Sequence, residues 1–106
     1  MRQYRIVLRK EARDEAVTAA RYILQEAGKQ TAVRWYEGLA EAMESLQTWP
    51  LRCPLARENS VFRNVELRQL LYQSHRIIFC VEEEIVHILH VRHIARDDLD
   101  QRGGTQ

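Results

Sequence analysis

The stretch from Val65 to Asp97 constrains this chain more than any other part of it. It holds three short runs rich in apolar and β-branched residues, separated only by brief polar breaks. Runs of that length and composition suit strands, and such short breaks leave room only for tight turns, so the segment is written as an antiparallel meander. Strands are placed near 65–72, 75–82 and 85–93, with Gln73-Ser74 and Glu82-Glu83-Glu84 at the turns. Arg68, Arg76, Arg92, His93 and Arg96 lie close to strand ends or off the apolar pattern, which makes them the first candidates for function.

Everything upstream reads as cover for that sheet. Tyr4-Arg5-Ile6-Val7-Leu8 is a β-prone run that predicts a first strand. From there to Ala27, the residues Ala12, Ala16, Ala19, Ala20, Ile23, Leu24 and Ala27 keep the three-and-four spacing of one narrow helical stripe, and Gly28 supplies the stop. A second helix is expected from a cap at Thr31, with Ala32, Trp35, Tyr36, Leu39, Met43 and Leu46 inward, until Trp49-Pro50 ends it. The short gap between the helices predicts an antiparallel hairpin. Residues 51–64 lack a clean period and read as a surface connection from helix to sheet. The expected fold is therefore α+β, in the order β-α-α-β-β-β, with a helical hairpin packed on a small, mostly antiparallel sheet.

At 106 residues the chain makes one domain, placed at 1–100, that buries roughly two thirds of the surface of its unfolded form. Residues 101–106 are expected to form a disordered tail. The formal net charge is only +1, which argues against non-specific coating of nucleic acid. Of the 16 basic residues only Lys10 and Lys29 are not arginine, so the chain favours forked contact with anions over lysine chemistry. The two cysteines, Cys53 and Cys80, make no disulfide framework. There is no signal-peptide pattern and no apolar run near the ~20 residues that span a membrane, so a reducing cytoplasm is the expected location.

His75, His87, His90 and His93 raise the question of a metal. Strand alternation puts His87 and His93 on one face and His90 on the other, so no metal site is expected. Glu82-Glu83-Glu84 reads as a solvated turn. There is no glycine-rich phosphate loop and no nucleophile elbow, and no cofactor is expected. Arg68 and Arg76, placed on one face, with Arg92 and His93 at the end of the last strand, would suit phosphate contact and proton transfer. The competing reading pairs the arginines with Glu66, Glu82 or the C-terminal aspartates and leaves His93 in the core.

At these residues the chain resembles a known family. Leu67-Arg68, His75-Arg76 opening an apolar strand, and the closing Val91-Arg92-His93-Ile94-Ala95-Arg96-Asp97 are similar to the C-terminal half of the ParE/RelE superfamily, the toxins of type II toxin–antitoxin (plasmid stabilisation) modules. The resemblance spans about residues 3–98 and implies a compact α+β toxin held inactive by a cognate antitoxin.

Two branches follow from it. ParE-like members inhibit DNA gyrase and need no hydrolytic site of their own, whereas RelE-like members cut mRNA on the ribosome. The lysines of RelE-like members are replaced here by Arg52, Arg57 and Arg63, and no tyrosine or lysine follows Arg96. The resemblance thus leans to the ParE-like branch, with gyrase as target and Arg68, Arg76, Arg92 and His93 as a functional face that is catalytic only in the RelE-like alternative. A non-toxic binding module or a degenerate toxin is the second alternative. The antitoxin is expected on the groove between hairpin and sheet, around Trp35, Tyr36, Leu39 and Met43.

Overall fold

The computed structural model describes residues 3–61 and 65–95. Strand β1 (Arg5–Leu8) leads into helix α1 (Lys10–Ala27), then helix α2 (Lys29–Glu44), and after the connection come β2 (Arg68–Tyr72), β3 (His75–Glu82) and β4 (Ile85–His93). The four strands form one sheet in the order β1-β4-β3-β2. β1 runs parallel to β4, and the other neighbours are antiparallel. The expected α+β architecture and element order are those observed.

The core lies between the hairpin and one face of the sheet. Ala12 and Ala16 of α1 and Trp35, Leu39 and Met43 of α2 meet Ile77, Phe79, Val86, Ile88 and Val91. The alanines of α1 allow that helix to lie close to β4, while α2 brings the bulk. The opposite face is covered by the connection, where Ala56 and Leu67 pack on Ile78 beside Cys80 and Leu89.

Three boundaries differ from the sequence reading. Helix α2 starts at Lys29, not at a Thr31 cap, because Gly28, at φ 95°, turns the chain in one residue. Its N–H donates to the Leu24 carbonyl and its carbonyl accepts from Ala32. The same helix ends at Glu44, before Trp49-Pro50, and the chain tightens into a 3-10 turn at Ser45–Gln47 in which the Ser45 hydroxyl donates to the Ala42 carbonyl. Strand β2 begins at Arg68 rather than Val65, since Leu67 is held by the connection: its N–H donates to Asn59 Oδ1 and its carbonyl accepts from Ala56.

A bulge in β4 matters most for the site. Ile78 pairs with His90 but Phe79 pairs with Ile88, so Leu89 is an extra residue. One extra residue reverses the in-and-out phase of everything after it. His87 and His90 therefore share the far face, paired with Cys80 and Ile78, while His93 turns toward the helices. The plain alternation that put His87 and His93 on one face fails for this reason.

Gly38 shows how tightly α2 and β2 meet. The Tyr72 hydroxyl donates to the Trp35 carbonyl at 2.9 Å, and a Cβ added at Gly38 would lie 2.2 Å from that oxygen. Alanine at position 38 gains about 1 kcal/mol of helix propensity but forces the Tyr72 ring off its place, at about 1–3 kcal/mol for overpacking and about 1 kcal/mol for the hydrogen bond. Gly38→Ala is thus expected to lower stability by about 1–3 kcal/mol, read as a lower urea midpoint at unchanged slope.

Candidate functional site

Arg68, Arg76, Arg92 and His93 do not converge on one face. Arg68 pairs across the sheet with Phe79 and so shares the helix side. Arg76 and Arg92 pair with each other on the far side, and His93 pairs with His75 on the helix side. Strand register thus separates Arg68 from Arg76.

Each arginine is also held by the fold. Arg76 is only 4% exposed. It donates to Glu58 at 2.5 and 3.2 Å and to Gln69 at 2.7 Å. Burial pushes Glu58 upward, but the Arg76 hydrogen bond, the residue's own backbone N–H and the charges of Arg76 and Arg57 outweigh it and hold this carboxyl below the usual range. Arg68 donates to the Cys53 carbonyl at 2.7 Å and to Glu66 at 3.0 Å, and so ties the connection to the sheet edge. The Glu66 pairing is one that the sequence offered; Glu58 and Glu15, which take the other two arginines, are not.

Glu15 closes the end of β4 that β1 does not reach. β1 pairs with β4 only as far as Leu8 and Ile88, and beyond it the Val91 N–H donates to Glu15 Oε1 at 2.8 Å. Arg92 Nε lies 3.5 Å from the same carboxylate and His90 Nδ1 3.3 Å from it. Burial raises the Glu15 pKa, yet the His90 hydrogen bond, the Val91 N–H and the charges of His90 and Arg92 bring it below its ordinary value. This side chain caps an open sheet edge.

His93 lies in a cleft of about 200 Å³ with His75, Trp35, Ser74, Gln73, Tyr22, Ala19 and Ile23. The His75 ring meets Trp35 and His93 edge-on, each at 5.0 Å between centroids. His93 Nδ1 accepts from the Ala95 N–H at 3.2 Å, so in the neutral ring Nε2 carries the proton. Among the described residues no three metal-ligating side chains come together.

The four residues expected to meet a partner divide as well. Trp35, Leu39 and Met43 are buried in the core, whereas Tyr36 is 38% exposed. Tyr36 borders a groove of about 460 Å³ on the outer side of the hairpin, with Val17, Ala20, Leu24, Ala32 and Val33 as its apolar floor and Arg21, Lys29 and Glu37 at its rim. Leu24 and Val33 are nearly half exposed. The sequence reading put Leu24 on the inward stripe and gave Val33 no role, although Val33 and Tyr36 stand three apart, on one helical face.

The described residues include no helix long and apolar enough to cross a membrane. No curated protein matches the chain. In fold, it matches a chain described as the chromosomal ParDE toxin–antitoxin system from P. aeruginosa, with a TM-score of 0.70 at 14% sequence identity, covering 87% of this chain and 97% of that one. The family model described as the ParE toxin of the type II toxin–antitoxin system, parDE, matches residues 6–98. Nearly the whole described chain lies within that match, from the first strand to the end of the meander, and the protein belongs to the ParE toxin family of type II toxin–antitoxin systems.

Proposed function

We propose that this toxin acts in the cytoplasm by inhibiting DNA gyrase through protein contact, and that its antitoxin lays an amphipathic helix into the outer groove of the hairpin. The observation that carries the first part is the engagement of Arg68, Arg76 and Arg92 by carbonyls and carboxylates of the same chain. Arginines held this way do not form an open phosphate-gripping face, which favours the ParE-like branch over mRNA cleavage. The second part rests on the groove itself, an apolar floor between two helices with Arg21 and Lys29 at the rim. Such a groove suits a helix with apolar residues at three-and-four spacing and acidic residues beside them.

One experiment addresses both. Purified toxin is expected to inhibit gyrase supercoiling and accumulate cleaved DNA, with relief by the antitoxin. Val33→Asp places an unpaired charge on the exposed floor, so the variant is expected to inhibit equally but to need about 30-fold more antitoxin for relief. Full relief at the wild-type antitoxin concentration would move the antitoxin elsewhere. No effect of the wild-type toxin on gyrase would turn attention to ribosome-dependent mRNA cleavage, with the His75–His93 cleft as the place to look.

A further inference from the structure

Trp35 does more than fill the core. Its ring is fixed by two neighbours, Tyr72 at 6.0 Å and His75 at 5.0 Å between centroids, and Tyr72 also donates to its carbonyl. The residue is 6% exposed, and that small part lies on two clefts that share Ile23, Trp35 and Gln73 as walls. Its indole N–H meets no acceptor among the described residues and is not sealed from solvent. It therefore opens where the ring does, as a donor held in place in advance. Groups this buried are nearly always paired, so an unmet one marks a place for an acceptor from outside the chain.

The two clefts differ in chemistry. The outer one, of about 350 Å³, runs to Thr31 and Arg34. It thus reaches the first turn of α2, which has no side-chain cap and no acidic residue. The first hydrogen bond of that helix runs from the Ala32 N–H to the Gly28 carbonyl, so the N–H groups ahead of it leave the positive end of the helix open at Thr31. Arg34, one turn on, is exposed and pairs with no carboxylate among the described residues. A helix start and a guanidinium side by side suit a phosphate. The inner cleft, of about 200 Å³, is walled by Trp35, His75 and His93, with the Ser74 hydroxyl and the Gln73 amide beside them. It is smaller than the pocket of a drug-sized molecule and suits one flat ring system. Its rings offer π contacts, and its amide and hydroxyl offer the donors and acceptors that a base edge needs. Among the described residues no carboxylate lines either cleft, so nothing there repels an anion.

We infer that the joined clefts bind a mononucleotide, with the phosphate at the first turn of α2 beside Arg34 and the base between Trp35 and the His75–His93 pair. The Trp35 N–H lies between the two ends. Thr31, Arg34 and Trp35 occupy the side of α2 turned away from Val33 and Tyr36, so the site is separate from the outer groove. It does not depend on which protein the toxin attacks.

The chain's two tryptophans, Trp35 and Trp49, supply an internal control, because only the first lies at the site. Their indole N–H signals, assigned with Trp49→Phe, are followed by NMR while AMP, GMP, CMP or UMP is added to the isotope-labelled toxin. The Trp35 signal is expected to move saturably with at least one of the four while the Trp49 signal stays. The matching nucleoside and inorganic phosphate, each added alone, should bind at least about 10-fold more weakly. Arg34→Ala should keep the thermal midpoint, since the side chain is exposed, and weaken nucleotide binding about 10-fold or more, the loss of a hydrogen bond to a charged group. No saturable movement with any nucleotide would overturn the inference, as would equal movement of both signals or wild-type binding by Arg34→Ala. Inorganic phosphate bound as tightly as the nucleotide would leave only an anion site, and a nucleoside bound as tightly would remove the phosphate from it. Either result would overturn the nucleotide assignment.

Discussion

Arg76→Ala is expected to lower stability by about 3–5 kcal/mol, the usual loss when one partner of a buried ion pair is removed. The side chain is 5% exposed and its Glu58 partner 19%, so water cannot take over the missing contacts. Glu58 would be left as a charge in a poorly hydrated place, and Gln69 would lose its donor. For a domain whose whole stability is about 5–15 kcal/mol, that loss leaves little folded toxin at growth temperature. Loss of toxicity in Arg76→Ala alone would therefore say nothing about chemistry. The double variant Arg76→Met/Glu58→Leu separates the two roles. It removes both charges while keeping volume, and is expected to recover most of the stability. If Arg76 is structural, as its burial implies, the double variant regains toxicity together with stability. Recovered stability without toxicity, measured by chemical denaturation and growth arrest, would place Arg76 in function.

Glu15→Ala is expected to cost about 2 kcal/mol, because it strips the acceptor from the buried Val91 N–H and the counter-charge from His90 and Arg92. The midpoint of thermal unfolding should fall by about 10 °C. Glu15→Gln keeps an acceptor for Val91 and loses only the charge, so its loss is expected to be about half as large. The pH dependence follows from the depressed pKa. A carboxyl whose folded pKa lies below its unfolded value, about 4.3, contributes its full stability above that unfolded value. The contribution is lost as pH falls through the folded pKa. Glu58 has the same sign. Wild-type stability should thus decline in acid below about pH 4–5, and Glu15→Gln should decline less steeply over the same range. Parallel acid profiles for the two proteins would mean that the Glu15 contacts add nothing. With its side chain about one third exposed, Glu15 gives an effect reduced by solvent screening.

Much of the fold was legible because two periodicities dominate this chain. The alternation in Val86-His87-Ile88 and the three-and-four spacing of Ala12, Ala16, Trp35, Leu39 and Met43 each report which side of an element is dry. Val86, Ile88 and those helix residues do form the two sides of the core. Helix ends were less legible, since the Gly28 N–H and the Ser45 hydroxyl settle them by donating to carbonyls four and three positions back. The candidate site was least legible. Arginines near strand ends look alike in a sequence whether they face solvent or a carboxylate, and Glu15 and Glu58 lie 75 and 18 positions from the residues they hold.

The sequence by itself determined the α+β class, the element order, the placement of the hairpin on the sheet and the likeness to the ParE/RelE toxins, because these depend on local pattern and on short motifs. Tertiary structure alone decided which side chains are free to act. The extra residue at Leu89 reverses the phase of the last strand and turns His93 toward Trp35. The same packing buries Trp35, Leu39 and Met43, leaves Val33 and Tyr36 outside, and displays Trp49 at a backbone angle that no local pattern announces. Those outcomes depend on which distant surfaces meet, and the free energy of such meetings is not written in any one stretch of the chain.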